Sequence, residues 1–211
     1  MPVRARPRAF TVLLASEFVS LVGDRLAMVA LIALVYAETR SPAVVALLML
    51  VRAIPAVALG GLAGSVVDRF DRRAVMVTAN VVQGFVVLSI PALGNVTLVI
   101  AAYAVMSIVN QFFIPARSAT IPDLVDSDGL GRANAAFGAA FVGALAVGPV
   151  IGGLIADRYG LAAAFYADSV TFFVPAIAVG LLRFPARTSQ AAAQRSSLVG
   201  DTMAALRHAA A

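Results

Sequence analysis

The chain has 211 residues, of which 61% are hydrophobic and 13% charged, and its mean hydropathy is +0.94. A soluble domain cannot bury so large an apolar fraction, so the composition predicts an integral membrane protein and excludes a soluble domain. The sequence contains no cysteine, which excludes disulfides and thiolate metal sites.

Six uninterrupted apolar stretches follow one another along the chain. They run from Phe10 to Tyr36, Ala43 to Val67, Ala74 to Leu93, Val96 to Ile114, Ala135 to Ala156 and Leu161 to Leu182. Even the shortest, Val96 to Ile114, would be about 28 Å long as a helix, close to the hydrocarbon thickness of a bilayer. Barrel strands are shorter and alternate polar with apolar residues, so the pattern predicts six transmembrane helices. The short loops predict antiparallel neighbours in one all-α bundle.

The arginines are distributed unevenly between the two sides of this predicted bundle. With the N-terminus inside, the inner set is Arg4, Arg6, Arg8, Arg69, Arg72, Arg73, Arg117, Arg132, Arg183, Arg187, Arg195 and Arg207. The outer loops hold only Arg40 and Arg158. Positive loops stay in the cytoplasm, so we expect a multi-pass protein of the cell membrane with both termini cytoplasmic. The net charge of +5 is then a topology signal, and we expect no nucleic-acid partner.

The composition divides the chain into three segments. We expect residues 1–9 to form a cytoplasmic arm, residues 10–182 the transmembrane bundle, and residues 183–211 a polar cytoplasmic linker. Within that linker four apolar residues fall on one helical face, which predicts a short amphipathic helix under the membrane. They are Leu198, Val199, Met203 and Leu206.

The first apolar stretch carries three charged residues, Glu17, Asp24 and Arg25. Glu17, Ser20 and Asp24 lie on one side of a helix and give it a polar stripe. An Asp or Arg near the middle of the membrane costs about 2.5–3.5 kcal/mol on insertion scales. We therefore expect the stripe to face the interior of the protein and not the lipid.

The second stretch offers a partner, because antiparallel packing would place Arg52 at a depth similar to that of Asp24 and Arg25. One interpretation is that Asp24 changes its protonation or pairing during transport, with Glu17, Arg25 and Arg52 as further members of a site that couples a proton or a cationic ligand. The other is a permanent bridge from Asp24 to Arg25 or Arg52 that locks two helices together. Glu17 lies nearer the inner end and could instead be interfacial.

Other polar residues at membrane depth have simpler explanations. We expect Asp168 in the sixth stretch to be structural. Four amides are expected to form hydrogen bonds between helices. These are Asn80, Gln83, Asn110 and Gln111.

A loop motif and several shorter stretches resemble a known family. "GSVVDRFDRR", from Gly64 to Arg73, has a glycine, an acid four residues on, then a basic residue and a basic pair. This resembles the signature between helices 2 and 3 of the major facilitator superfamily, with Asp71 where the broad pattern has glycine. "SLVGDRLAMVALIALVYAETRSP", "FFIPARSATIPDLV", "RANA" and "VGPVIGG" are similar to the enterobactin-exporter-like and macrolide-efflux-like branch.

The resemblance implies a fold and a mechanism. The six helices would be one half of a twelve-helix transporter, built as an inverted repeat of three plus three helices and working by alternating access. The loop signature would form a cytoplasmic latch that stabilises the outward-facing state. Its residues are Gly64, Asp68, Arg69, Arg72 and Arg73. The alternative is that these arginines only enforce topology.

"GPVIGG" in the fifth stretch resembles the glycine motif of exporters in this superfamily. Gly148 and Gly152 stand one helical turn apart and permit close backbone approach, Pro149 lets the helix bend, and Gly153 ends the motif. Ala135 and Ala144 stand where the broader pattern has glycines. A pure packing role would also explain the motif.

These patterns lead to one function and two alternatives. We expect the N-terminal half of a proton-coupled exporter of hydrophobic or amphipathic small molecules such as drugs or siderophores, with no enzymatic activity and no cofactor. Its partners would be the lipid bilayer, the small-molecule substrate and a C-terminal six-helix half. The alternatives are a half-size protein that pairs with a second copy or another half, and a membrane subunit that transports nothing.

Overall fold

The computed structural model describes residues 6–182, and these form helices joined by short turns. The helices are α1 (Pro7–Thr39), α2 (Pro42–Val67), α3 (Arg72–Ser89), α4 (Val96–Thr120), α5 (Leu130–Tyr159) and α6 (Leu161–Leu181). One-turn 3-10 helices lie at Ile90–Ala92, Ile121–Asp123 and Ser127–Gly129. All six α-helices are long and apolar enough to cross a membrane, which confirms the predicted class. The predicted amphipathic helix lies outside the described residues.

Local chemistry explains where the helices begin and end. Pro7 and Pro42 occupy the first turns of α1 and α2, where a missing N–H costs nothing. The Asp71 carboxylate accepts a hydrogen bond from the Ala74 N–H at 2.8 Å and caps α3. Gly160, with φ of +83°, separates α5 from α6 through a conformation that side chains disfavour.

Several helices extend beyond the predicted apolar stretches. α1 begins at Pro7 instead of Phe10, α5 begins at Leu130 instead of Ala135, and α4 continues through Pro115 to Thr120. The predicted loop of residues 115–134 therefore shrinks to residues 121–129. Hydropathy marks where a helix leaves the hydrocarbon core of the membrane. The helices continue beyond that point with polar residues that form hydrogen bonds or ion pairs.

The packing of the helices follows a regular pattern. α1 packs chiefly on α5 and α6, α4 packs chiefly on α2 and α3, and α3 packs on α6. The contacts of α1 with α5 and α6 correspond to those of α4 with α2 and α3 when the first three helices are exchanged for the last three. An inverted repeat of three plus three helices has this property. One apolar cluster surrounds Leu31, Val87 and Phe172, and a second surrounds Leu13, Phe113 and Phe137 towards the α1 N-terminus.

Candidate functional site

A cavity of about 230 Å³ lies between α1, α2, α3, α4 and α6. Much of its wall is apolar, and this part includes Met28, Leu31, Val87, Met106, Ile114 and Phe165. Charged and polar side chains from five helices interrupt the apolar wall. They are Asp24, Arg52, Gln83, Tyr103, Ser107, Asn110, Gln111 and Asp168. An apolar pocket with a few convergent polar groups is the usual form of a small-molecule site.

Asp24 and Arg52 share this cavity, but Arg25 does not line it. The Arg25 guanidinium lies 5.1 Å from the centre of the Phe141 ring on α5. Successive residues on a helix point about 100° apart, so Asp24 and Arg25 face different neighbours. The charges of both arginines still act on Asp24, and that of Arg52 also acts on Tyr103.

None of the ion pairs formed among residues 6–182 includes Asp24. Asp24 is half-buried and faces the cavity, where Arg52 is exposed. The direct bridge proposed as the structural alternative is therefore not formed in this conformation.

Glu17 lies elsewhere in the bundle and has a partner that the sequence did not suggest. Its side chain is buried, with 2% of the residue exposed, and Oε2 accepts a hydrogen bond from Nη1 of Arg117 at 3.3 Å. The Arg117 guanidinium also lies 5.2 Å from the centre of the Phe137 ring. The sequence predicted that Arg117 lies in a loop, because the fourth apolar stretch ends before Pro115. Continuing the helical register past that proline would have found it.

The loop motif between α2 and α3 ties the start of α3 to two other helices. Nη1 of Arg72 donates to the Ala119 carbonyl and to Oδ2 of Asp123, 3.1 Å away. Arg72 also pairs with Asp68 at 3.9 Å. Arg73 donates to the Val179 carbonyl at 3.2 Å and to the Gly180 carbonyl, at the end of α6. Both arginines thus supply donors to backbone carbonyls at or near helix C-termini.

Two other members of the motif face away from the described helices. Arg69 is exposed. A Cβ added at Gly64 would have no atom of residues 6–182 within 4 Å, and the same is true at Gly60. The small residues on this face of α2 are therefore not needed for packing inside the described bundle.

The glycine motif of α5 divides into two faces. A Cβ at Gly152 would lie 2.6 Å from the carbonyl oxygen of Leu26, and one at Gly148 would lie 2.8 Å from that of Val22. Gly153 has no such neighbour among the described residues, and Pro149 lies inside the helix between the two faces. Gly148 and Gly152 thus allow α5 to touch the α1 backbone beside Asp24 and Arg25.

Gly23 is a third close contact, which sequence analysis missed. A Cβ at this position would collide with the side chains of Thr171 and Asp168 on α6. Its neighbour in the sequence is Asp24, so the α1–α6 contact lies next to the cavity. The signal was present, because a glycine beside a charged residue within a transmembrane helix suggests close helix approach.

The amide side chains do not bond as expected. Asn80, Gln83 and Gln111 donate to the carbonyls of Met76, Ala79 and Ser107, each one turn earlier in its own helix. The prediction of hydrogen bonds between helices was wrong for these three residues. A polar link between helices comes instead from the Ser169 hydroxyl, which donates to the Gly84 carbonyl at 3.0 Å.

Residues 13–208 match the family model described as Major Facilitator Superfamily. The chain belongs to the major facilitator superfamily. Its six membrane-spanning helices form one half of the fold of that superfamily, and the family is one of membrane transporters. The resemblance seen in the loop motif is confirmed at the level of the superfamily.

Several major facilitator proteins are similar to the chain. It is 25% identical over 177 residues to the uncharacterised MFS-type transporter YfiS of Bacillus subtilis, covering 83% of this chain and 42% of that protein. It is 26% identical over 176 residues to the lysophospholipid transporter LplT of Photorhabdus laumondii, covering 81% and 42%. It is 29% identical over 110 residues to the multidrug resistance protein MdtG of Yersinia enterocolitica, covering 52% and 26%. The chain thus spans less than half the length of the curated relatives it matches.

Proposed function

We propose that the chain forms the N-terminal half of a proton-coupled transporter that exports hydrophobic or amphipathic small molecules, such as drugs or siderophores. The observation that carries this proposal is the presence of Asp24 and Arg52 in an otherwise largely apolar cavity. Apolar walls suit the body of such a molecule, and the few polar groups orient it. A carboxylate at membrane depth is a group that can bind and release a proton.

The names of two relatives support this substrate class. MdtG is called a multidrug resistance protein and LplT a lysophospholipid transporter. Drugs and lysophospholipids both combine apolar and polar parts. The assignment to the enterobactin-exporter-like and macrolide-efflux-like branch, and the outward direction of transport, belong to the same proposal and rest on the sequence motifs.

In the proposed cycle, Asp24 binds the proton in the cavity that it shares with Arg52. Arg52 contacts substrate in the cavity, and Arg25 acts from the α5 side. Glu17 contributes through its pair with Arg117, which joins α1 to α4. The membrane is the cell membrane, and both termini are cytoplasmic.

The proposed latch consists of Gly64, Asp68, Arg69, Arg72 and Arg73. The contacts of Arg72 and Arg73 with the ends of α4 and α6 support a role in holding the cytoplasmic ends of these helices together. A Cβ at Gly64 would meet no atom of the described residues within 4 Å, and Arg69 is exposed. Both positions are therefore open to contact with a second half. The exporter motif Gly148, Pro149, Gly152 and Gly153 would set how α5 moves on α1.

A second six-helix half would complete the cavity. The exposed apolar faces of α2 and α5 are the surfaces on which it would pack, since lipid and a second bundle are both apolar. Val57 on α2 is 88% exposed and Leu154 on α5 is 67% exposed. The second half could be a C-terminal half or a second copy of this chain. Its source is tested by a tag at Met1 of the chromosomal gene, because a product near 21.7 kDa indicates separate halves and a product roughly twice as large indicates one chain.

The experiment for function is efflux of ethidium from cells that express the native gene, driven by a pH gradient that is acidic outside. We expect Asp24→Asn to abolish gradient-driven efflux while the protein still inserts in the membrane. Asp157→Asn, at an exposed position near the end of α5, is the matched control and should leave efflux unchanged. Efflux at the wild-type rate from Asp24→Asn would contradict the coupling role. Efflux from cells with the wild-type gene that is no faster than from cells without it would favour a membrane subunit that transports nothing.

A further inference from the structure

The proposed cycle assigns no role to the carboxyl group of Asp168. It lies in the middle of α6, only 1% of the residue is exposed, and it lines the cavity that Asp24 faces. The sequence predicted a structural role for Asp168, but its surroundings differ from those of a structural carboxylate.

The hydrogen bonds of Asp168 leave one oxygen without a partner. The Thr171 hydroxyl lies 3.0 Å from Oδ1 and 2.8 Å from the Asp168 main-chain carbonyl oxygen, so these two acceptors share its one proton. Oδ2 is buried and has no hydrogen-bond partner among residues 6–182. No arginine forms an ion pair with Asp168 among residues 6–182. An ionised carboxylate in these surroundings lacks the donors that would replace its water.

A protonated carboxyl group fits the same contacts. Oδ1 then acts as the carbonyl oxygen that accepts from Thr171, and Oδ2 carries the proton as a donor. The charged and titratable groups around the cavity are Asp24 on α1, Arg52 on α2 and Tyr103 on α4, while α3 contributes the neutral Gln83. Arg52 shares the cavity with Asp24, and its positive charge would stabilise an ionised carboxylate there.

The backbone holds Asp168 in place from both sides. On one side Gly23 brings the α1 backbone against Asp168 and Thr171. On the other side Ser169 donates to the Gly84 carbonyl of α3 at 3.0 Å. α6 is thus held on both sides of Asp168, and the Asp168 side chain lines the cavity.

We propose that Asp168 and Asp24 form one proton-binding site at the contact between α6 and α1, in which Asp168 stores the proton and Asp24 exchanges it with water in the cavity. The proton leaves Oδ2 of Asp168, reaches a carboxylate oxygen of Asp24 through the cavity that both residues line, and passes from there to a water molecule. The pair then carries two negative charges in place of one, which the two arginines partly balance. This inference rests on the proposed proton-coupled function and adds Asp168 and Thr171 to its site.

Infrared spectroscopy of the protein in its native assembly, reconstituted in lipid, detects whether a carboxyl group is protonated. The carbonyl stretch of a carboxylic acid is separate from the carboxylate bands. At neutral pH we expect a carboxylic-acid band that Asp168→Asn removes and Asp157→Asn leaves unchanged. Asp24→Asn should keep the band but slow its shift on transfer to D2O, since the exchange route is lost. A structural carboxyl group would not show this change in exchange rate.

Thr171→Val provides a second test if Asp168→Asn does not fold. It removes one hydroxyl at nearly constant volume, and the band should move to higher frequency because the carbonyl loses a hydrogen bond. A band that survives Asp168→Asn, or that Thr171→Val leaves in place, overturns the proposal. A band that disappears when potassium is replaced by sodium would indicate a sodium site and also overturn it. A wild-type protein that shows the band but gives no gradient-driven ethidium efflux would count against the proposed function alone.

Discussion

Oε2 of Glu17 on α1 and Nη1 of Arg117 on α4 lie 3.3 Å apart inside the bundle. The side chain of Glu17 is 3% exposed and that of Arg117 is 22% exposed, so water screens the pair weakly. The pair joins two helices that have few other contacts with each other. It therefore stabilises one arrangement of α1 and α4.

The first prediction is that Glu17→Gln lowers the free energy of unfolding in detergent by about 3 kcal/mol, because it leaves the Arg117 charge partly buried without its partner. Arg117→Gln alone should have a similar effect. The double variant should be more stable than either single variant, since neither charge remains. Additive losses in this double-mutant cycle would contradict a direct pair.

The second prediction concerns the two faces of the α5 glycine motif. Gly152→Ala should destabilise the bundle by about 1–3 kcal/mol, because the new methyl group would lie 2.6 Å from the Leu26 carbonyl oxygen. Gly153→Ala is the matched control and should be neutral or stabilising by about 0.5–1 kcal/mol, because its Cβ meets no described atom. Unfolding in detergent measures both, and equal effects would be evidence against the α1–α5 contact.

The third prediction separates two neighbouring arginines of the loop motif. Arg72→Gln should lower stability by about 2 kcal/mol, because it removes charged hydrogen bonds to Ala119 and Asp123. Arg69→Gln should leave the stability of the six helices unchanged, because that side chain is exposed. Thermal unfolding of the purified variants compares them. A loss of stability in Arg69→Gln as large as in Arg72→Gln would contradict this assignment.

The fourth prediction tests the orientation in the membrane. The chain has no cysteine, so single cysteines can be labelled without background. Glu38→Cys, at the exposed end of α1, should react with a membrane-impermeant maleimide in intact cells. Asp128→Cys, in the exposed turn before α5, should react only after the cells are opened. The reverse pattern would place both ends of the bundle outside.

The sequence determined the class of the protein and the positions of its helices. Long apolar stretches predict transmembrane helices because the bilayer core allows only structures that satisfy their own backbone. The position of Asp24 on the cavity, away from lipid, was predictable for the same reason, since a charge at that depth needs a protein interior. Only the ends of helices were misplaced, as at Pro115. The apolar stretch ends where the helix leaves the lipid, but the helix itself continues beyond that point.

The tertiary structure decided which of these residues meet. Arg25 and Arg52 were equivalent candidates until the rotation of α1 placed Asp24 on the cavity and directed Arg25 to α5. Arg117 as the partner of Glu17, and Asp168 as a neighbour of Asp24, depend on which helices pack side by side. Helical periodicity fixes the angle between residues within one helix, but the neighbour that each face meets is set by packing between helices distant in sequence.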